Sequence, residues 1–267
     1  RAGDQGAGRS RAPMSHPAQL ARAVTELVDH LGGAPASRDL ARAEVGVERA
    51  PFGDQLVSVT GAGSGIGRAT ALAFAAHGAE IVVSDIDENA AAATAAEITA
   101  GGGTAHAYRL DVADADAVQR FAEQVCATHG VPDVLVNNAG VGHAGLFLDT
   151  PADQYDRVLD INFGGVVNCC RAFGARMVAR GMGGHIVNVA SMAAYSPTQA
   201  MNAYATSKAA VFMFSDCLRA ELDSAGIGLT TVCPGVIDTN IIDGTRFDVP
   251  THKRSEVETL RAQIKKG

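Results

Sequence analysis

The feature of this chain that most restricts its fold is a regular alternation of apolar and helical stretches that begins at residue 55. Six apolar runs have strand character, and a stretch of helical character follows each of the first five. The runs read as apolar on both faces, which is typical of a parallel sheet covered by helices on both sides. The predicted strands are residues 56–60, 80–85, 104–111, 133–140, 184–191 and 228–235. The predicted helices end at residue 77 or span residues 88–100, 115–128, 153–179 and 202–225. We therefore predict a doubly wound α/β fold.

The first 54 residues differ in character from the rest of the chain. Residues 1–14 are rich in Gly, Arg and Ala and are predicted to be disordered. Residues 15–33 carry one apolar stripe at helical spacing, which predicts a short amphipathic helix, and residues 34–53 read as a polar linker. The prediction is thus one α/β domain over residues 55–267, with an N-terminal helical appendage.

The composition argues against several classes of partner. A formal net charge of −7 leaves no basic patch of the kind that binds nucleic acid. No apolar run reaches the roughly 18 residues that a membrane span needs, and the N-terminal arginines precede no apolar signal segment. We expect a cytoplasmic protein that binds a small molecule, not a membrane or a nucleic acid.

The cysteines and histidines indicate neither disulfides nor a metal centre. The five cysteines are odd in number, lack a CxxC pair and lie in apolar surroundings, which favours reduced thiols. The eight histidines show no ligand spacing, so the sequence predicts no metal site.

A glycine-rich segment joins the first predicted strand to the first helix. Gly61, Gly65 and Gly67 lie where the turn is tight and the backbone must approach a ligand closely. The N–H groups and the dipole at the start of the helix would then face a pyrophosphate. The spacing is TG-x3-G-x-G, which differs from the common GxGxxG pattern. The segment predicts dinucleotide binding in a Rossmann-type sheet.

Asp85 ends the second predicted strand and bears on the choice of dinucleotide. A carboxylate there is placed to accept hydrogen bonds from the ribose hydroxyls of an adenosine. It would repel a 2′-phosphate by about 4 kcal/mol at ~4 Å, and residues 64, 86 and 87 supply no cation to offset this. We therefore expect NAD in preference to NADP. The alternative is that Asp85 only caps the turn that follows it.

Tyr204 and Lys208 lie four residues apart in a predicted helix, so their side chains share one face. A cation near a phenol favours the phenolate and lowers the phenol pKa from about 10. The pair is either a tuned proton donor and acceptor or two ordinary surface residues.

Taken in chain order, several motifs resemble the classical short-chain dehydrogenases/reductases over about residues 55–239. The motifs are TGAGSGIG at 60–67, the strand-end Asp85, LDV at 110–112, NNAG at 137–140, Asn162 in INFGG, Ser191 in VNVAS, YATSK at 204–208 and PG-V-I-D-T at 234–239.

The resemblance implies a Rossmann-type fold, a nicotinamide cofactor and a set of site residues. The implied catalytic residues are Asn162, Ser191, Tyr204 and Lys208. The implied cofactor-binding residues are Gly61, Ser64, Gly65, Ile66, Gly67, Asp85, Asp111, Val112, Asn138, Ala139, Gly140, Tyr204, Lys208, Pro234, Gly235, Ile237 and Thr239.

The resemblance also assigns a role to each catalytic position. Tyr204 would act as acid and base, Lys208 would lower its pKa and bind the ribose, and Ser191 would hydrogen-bond the substrate oxygen. Asn162 would hold a water that links Lys208 to solvent. The alternatives are that Ser191 only ends a strand and that Asn162 only bonds nearby backbone. We expect His143, which follows NNAG, to be an exposed loop residue.

Both ends of the chain depart from the family pattern. Residues 239–267 resemble a lid and part of a helix without a final strand, so the C-terminus is expected to be truncated. Residues 13–31 faintly resemble the closing helix of α/β-hydrolases, as found in fusions of a hydrolase to a short-chain dehydrogenase.

The predicted function is an NAD(P)-dependent interconversion of a secondary alcohol with a ketone or aldehyde, by a homodimer or homotetramer. One alternative is the dehydrogenase part of a bifunctional hydrolase fusion that acts on apolar or lipid-like substrates. The other is a scaffold that senses NAD without turnover.

Overall fold

The main sheet has six parallel strands in the order β3-β2-β1-β4-β6-β7. The structure is a computed structural model that describes residues 50–235 and 245–248, together with Glu26, which is helical. The strands are β1 (Leu56–Thr60), β2 (Glu80–Asp85), β3 (Thr104–Arg109), β4 (Val134–Asn137), β6 (Gly184–Val189) and β7 (Ile227–Val232). A short pair, β5 (His143–Gly145) and β8 (Arg246–Asp248), forms a second sheet.

Residues 50–235 form six α-helices, five of which cover the two faces of the main sheet. The six helices are α1 (Gly65–Ala76), α2 (Glu88–Ala100), α3 (Ala115–Thr128), α4 (Ala152–Leu159), α5 (Gly165–Arg180) and α6 (Asn202–Leu222). The buried side chains of α1 and α2 form one core with alternate strand residues, and those of α3, α5 and α6 form the other. The predicted doubly wound Rossmann-type fold is therefore confirmed.

The prediction of one continuous helix over residues 153–179 is wrong, because the helix is interrupted near its middle. A π-type turn, Asp160–Gly164, separates α4 from α5. An extra residue in a helical turn leaves the apolar periodicity on both sides readable, so the sequence pattern did not show the break. The turn buries Asn162 completely, and such turns are frequent at functional sites.

The expectation that all strands are apolar on both faces fails at β3. This strand lies at the edge of the sheet, and none of its residues is fully buried. An edge strand has one neighbour and less helix cover, so polar side chains such as those of His106 and Arg109 are tolerated.

Several predictions lie outside the described residues. They are the disordered tail and linker up to residue 49, the N-terminal helix apart from Glu26, the cofactor contacts of Ile237 and Thr239, and the truncated end. Among the described residues, no helix has both the length and the apolar character that a membrane crossing requires.

We predict that Phe74→Ala destabilises the domain strongly. Phe74 on α1 is fully buried and meets the ring of Phe52 edge-on, with centroids 4.9 Å apart. Removing the ring leaves a cavity in the α1/α2 core, which should lower the free energy of unfolding by about 3–5 kcal/mol in urea titrations. Leu148→Ala is the control, because Leu148 is 92% exposed and should change stability by less than about 0.5 kcal/mol. Equal effects of the two variants would contradict the assigned core.

Candidate active site

A cleft of about 680 Å³ opens at the carboxyl ends of the parallel strands. It lies where the strand order reverses, between β1 and β4, which is the place where open α/β sheets bind ligands. Its volume falls within the roughly 300–1,000 Å³ typical of small-molecule sites.

In the glycine-rich loop between β1 and α1, backbone atoms without side chains form the wall of the cleft. Gly61 has a φ of +62°, and a Cβ there would lie 2.7 Å from Cα of Ala139. The Ser64 side chain makes no capping hydrogen bond to α1, which begins at Gly65. The first-turn N–H groups of α1 are thus available to an anion, as a pyrophosphate site requires.

Thr60 and Asn138 fasten the ends of β1 and β4 to each other. Thr60 Oγ1 accepts hydrogen bonds from the backbone N–H groups of Asn138 and Ala139, both at 3.1 Å. The Asn138 side-chain amide donates to the carbonyls of Thr60 and Gly61, at 3.0 and 3.1 Å. The Asn138 side chain therefore holds the glycine loop against the end of β4.

Asp85 stands at the end of β2 and lines the cleft. Its Oδ2 accepts from the N–H of Gly63 at 2.9 Å, and its Oδ1 accepts from the N–H of Asp87 at 3.0 Å. The second bond is the turn cap that we considered as an alternative, and the first fixes the carboxylate against the glycine loop. Asp85 thus combines a local structural role with a position on the cleft wall.

Most of the sequence-predicted cofactor residues share this cleft. Those that line it are Gly61, Ser64, Gly65, Ile66, Asp85, Asp111, Val112, Asn138, Ala139 and Gly140. Gly67 lies behind the wall, where any Cβ would collide with the Gly61 carbonyl oxygen. Tyr204, Lys208, Pro234 and Gly235 are not among the lining residues.

Sequence reasoning missed the wall formed by α4 and its π-type turn. The additional lining residues there are Asp153, Asp156, Arg157, Asp160 and Ile161, and Ser84, Ile86 and Leu110 join them from the strand ends. No motif marks the α4 residues. Their helical spacing of three or four was the available signal, since it places them on one face.

Asn162 is the hub of a buried hydrogen-bond network beside Gly140. Its Oδ1 accepts from the Val141 N–H at 2.8 Å, while its amide donates to the Val141 carbonyl and to Ser207 Oγ, both at 3.0 Å. Ser207 in turn donates to the Tyr204 carbonyl at 2.7 Å. Asn162 therefore positions α6 relative to the NNAG segment.

Lys208 is buried with one hydrogen-bond partner that the structure identifies. It is 4% exposed, and its Nζ donates to the Val189 carbonyl at 2.8 Å. Burial lowers the pKa of Lys208 to about 8, because the desolvated ammonium is costly, and the nearby Cys233 opposes this. A Cβ on Gly140 would lie 3.5 Å from Nζ, so the lysine reaches the rim of the cleft.

The expected effect of Lys208 on the Tyr204 phenol is not what the structure shows. Burial raises the pKa of Tyr204, and the hydrogen bond with Ser191 lowers it. Lys208 Nζ lies 5.9 Å from the centre of the Tyr204 ring. The phenol is therefore neutral at pH 7, and the partner that favours its ionisation is the Ser191 hydroxyl.

His143 is buried, so the expectation of an exposed loop histidine is wrong. It is 2% exposed on β5, and its Nε2 lies 3.0 Å from Oδ2 of Asp248 on β8. Asp248 is distant in sequence, and no local pattern could have indicated this pairing.

A family model for short chain dehydrogenases matches residues 55–248. The chain is 65% identical over 254 residues to "Probable oxidoreductase EphD" of Mycobacterium tuberculosis, a match that covers 95% of this chain and 43% of that protein. It is 36% identical over 197 residues to "C alpha-dehydrogenase" of a Sphingobium species, covering 73% of this chain and 65% of that one. The chain thus spans less than half the length of the mycobacterial relative.

Solved structures show the same architecture with either dinucleotide. A short-chain dehydrogenase/reductase from Burkholderia phymatum in complex with NAD matches with a TM-score of 0.75 and 31% identity, covering 81% of each chain. A metagenomic short-chain oxidoreductase in complex with NADP matches with a TM-score of 0.67 and 34% identity, covering 69% of this chain and 83% of that one.

We predict that Lys208→Met stabilises the protein without cofactor at pH 7. The unfolded lysine titrates near 10.5 and the buried one at about 8, so the unfolded state binds more protons between these values. Wild-type stability should therefore rise from pH 8 to 10.5. The variant should be roughly 1–3 kcal/mol more stable at pH 7, with the advantage shrinking over that range in urea titrations. A difference independent of pH would contradict the buried-charge assignment.

Proposed function

The chain belongs to the short-chain dehydrogenase/reductase family, and we propose that it interconverts a secondary alcohol with its ketone or aldehyde by hydride transfer to or from NAD. The observation that carries this proposal is the half-buried Tyr204 phenol, hydrogen-bonded to Ser191 and held by α6 next to Lys208. Family membership supports an oxidoreductase. The reaction type and the residue roles are our inference from the family resemblance and from the geometry.

The residues that line the cleft fit a nicotinamide dinucleotide. The bare glycine loop and the start of α1 would hold the pyrophosphate, and Asp85 would hold the adenosine ribose. When bound, the cofactor supplies or accepts the hydride. The protein has to orient the substrate, exclude water and move one proton.

Tyr204 would move that proton. Its phenol is protonated at pH 7, and burial raises its pKa further above the ordinary 10, so it can donate the proton to the carbonyl oxygen in the reducing direction. In the oxidising direction the phenol must first lose its proton to solvent, and the phenolate that results would remove the hydroxyl proton of the alcohol. Ser191 would hydrogen-bond the same oxygen, where charge develops in the transition state. General acid–base assistance of this kind contributes about 10²–10⁴-fold to the rate.

Lys208 and Asn162 would assist the proton transfer without contacting the substrate. Lys208 has a pKa of about 8, so the ammonium and the amine are both accessible near neutral pH. Its Nζ lies next to Gly140, which lines the cleft, and would donate to a ribose hydroxyl of the bound cofactor. Asn162 uses both amide hydrogens on Val141 and Ser207, and its Oδ1 accepts from the Val141 N–H, so we assign it a positioning role. The expected water contact would use the second lone pair of Oδ1.

NAD is the proposed cofactor in preference to NADP. Asp85 is fixed by two backbone N–H groups, so it cannot easily turn away from a 2′-phosphate. Asp111, Asp153, Asp156 and Asp160 add negative charge to the cleft, and Arg157 is the cation among the lining residues.

Two further expectations remain proposals. The length of the mycobacterial relative favours a longer parent protein, in which this domain is the dehydrogenase part. The exposed apolar side chains of Val178 on α5 and Met213 on α6 support pairing of these helices in a homodimer or homotetramer.

We predict that Tyr204→Phe strongly reduces turnover but keeps cofactor binding. The measurement is NADH formation with a panel of secondary alcohols that includes long apolar ones, alongside an NADH fluorescence titration. The expected loss is about 10²–10⁴-fold in kcat/KM with the dissociation constant nearly unchanged. Tyr155→Phe is the matched control, since its hydroxyl donates to Asn202 outside the site.

The alternative of an NAD-sensing scaffold makes the opposite prediction. A scaffold binds NADH but turns over no alcohol or ketone of the panel, in the parent protein as in the variant. Tyr204→Phe with the parent rate would instead refute the assignment of Tyr204 as acid and base.

We predict that NADH binds at least 100-fold more tightly than NADPH. The repulsion between Asp85 and a 2′-phosphate, about 4 kcal/mol at ~4 Å, sets an upper limit near 1,000-fold. Asp85→Ser should lower the ratio of the NADPH dissociation constant to the NADH dissociation constant. Asp87→Ser should leave it unchanged, because Asp87 carries the same charge but caps the start of α2. A parent protein that prefers NADPH would overturn our interpretation of Asp85.

A further inference from the structure

Three metal-ligating side chains meet at the end of the sheet opposite to the cleft. Glu80 begins β2, His106 lies within β3, and His129 directly follows α3. Asp85, at the cleft, is five residues further along β2, or about 16 Å in an extended strand. The cluster is therefore separate from the proposed active site.

The register of the sheet explains why the first two side chains meet. His106 pairs with Val82 and Thr104 pairs with Glu80, so Glu80 and His106 are diagonal neighbours on one face of the sheet. His106 Nε2 lies 2.8 Å from Glu80 Oε1. His129 approaches the same oxygen from the end of α3, with its Nδ1 at 3.6 Å.

The three ligand atoms are close enough to share one ion. They all lie within 4.8 Å of one another. Zinc bonds to nitrogen and oxygen are about 2.0–2.2 Å long, so ligands on one tetrahedral ion stand roughly 3.3 Å apart. The His106 and His129 rings are stacked in this structure, with centroids 3.9 Å apart, so a shared ion requires His106 to rotate out of the stack. Its 33% exposure leaves space for that rotation, and the Glu80 side chain is 40% exposed. The exposed side leaves room for water as a further ligand.

The surroundings orient the third ligand. The Tyr108 hydroxyl lies 2.7 Å from Nε2 of His129, and an Nε2–H that donates to this oxygen leaves the Nδ1 lone pair facing Glu80. Metal-binding histidines usually hold their second nitrogen in this way. His129 also caps the carboxyl end of α3, where the helix dipole favours a cation.

We propose that Glu80, His106 and His129 bind one divalent transition-metal ion of the zinc type. Two imidazoles and one carboxylate are a donor set suited to such an ion. The sequence predicted no metal site, because the three ligands come from separate elements with no local spacing. Bound there, the ion would fasten the edge strand β3 to β2 and α3, which makes the site structural.

The test is a Co²⁺ titration of the full chain after removal of metals with EDTA. We expect one equivalent to bind with d–d absorption bands in the visible range, and Zn²⁺ to displace it. At a Zn²⁺ concentration 100 times the dissociation constant, the melting temperature should rise by roughly 5–10 °C. A wild-type protein that shows neither the bands nor the shift refutes the proposal.

Single-residue variants test whether the Co²⁺ binds at these three residues or elsewhere on the protein. His106→Gln should remove the bands and the shift, and Tyr108→Phe should weaken Co²⁺ binding about 10-fold or more. His185→Gln is the control, because β6 lies three places from β2 in the sheet order, and it should bind as the parent does. Circular dichroism without metal verifies folding. Unchanged Co²⁺ binding by folded His106→Gln would place the ion elsewhere and overturn the proposal.

Discussion

The hydrogen bonds that join Thr60 to the backbone of Asn138 and Ala139 fix the ends of β1 and β4 relative to each other. The glycine loop starts on one side of this junction and Gly140 lies on the other. The close approach of Gly61 to Ala139 leaves no space for a Cβ, so the junction also dictates residue type. The position of the cleft depends on these few bonds between two neighbouring strands, since both of its walls begin at the junction.

The electrostatics of the candidate site rest on burial more than on ion pairing. Desolvation raises the pKa of Tyr204 and lowers that of Lys208, so both groups are driven toward their neutral forms in the absence of ligand. A phenol in that state is suited to donate a proton. The charged form of the buried Lys208 lowers the stability of the fold. A bound ribose that accepts a hydrogen bond from the ammonium would offset part of this cost.

Local patterns were sufficient for the regular elements. The predicted helices 88–100 and 115–128 agree with α2 and α3, because both have clear starts and stops in the sequence. The motifs located about half of the cleft lining, including Asp85 and Asn138. Long-range pairings were not predictable in this way. The burial of His143 depends on Asp248, and the assembly of Glu80, His106 and His129 depends on three separate elements.

Because of the π-type turn Asp160–Gly164, inserting or deleting one residue in this segment would disrupt the site. Each residue of an α-helix advances the chain by about 100° around the axis, so deleting one residue here would rotate α5 against α4 by that angle. Asn162 would then leave Val141, and Gly165, which packs on Val112, would be replaced at that contact by a neighbour with a side chain. Evolution can therefore exchange residues along this segment far more readily than it can insert or delete one.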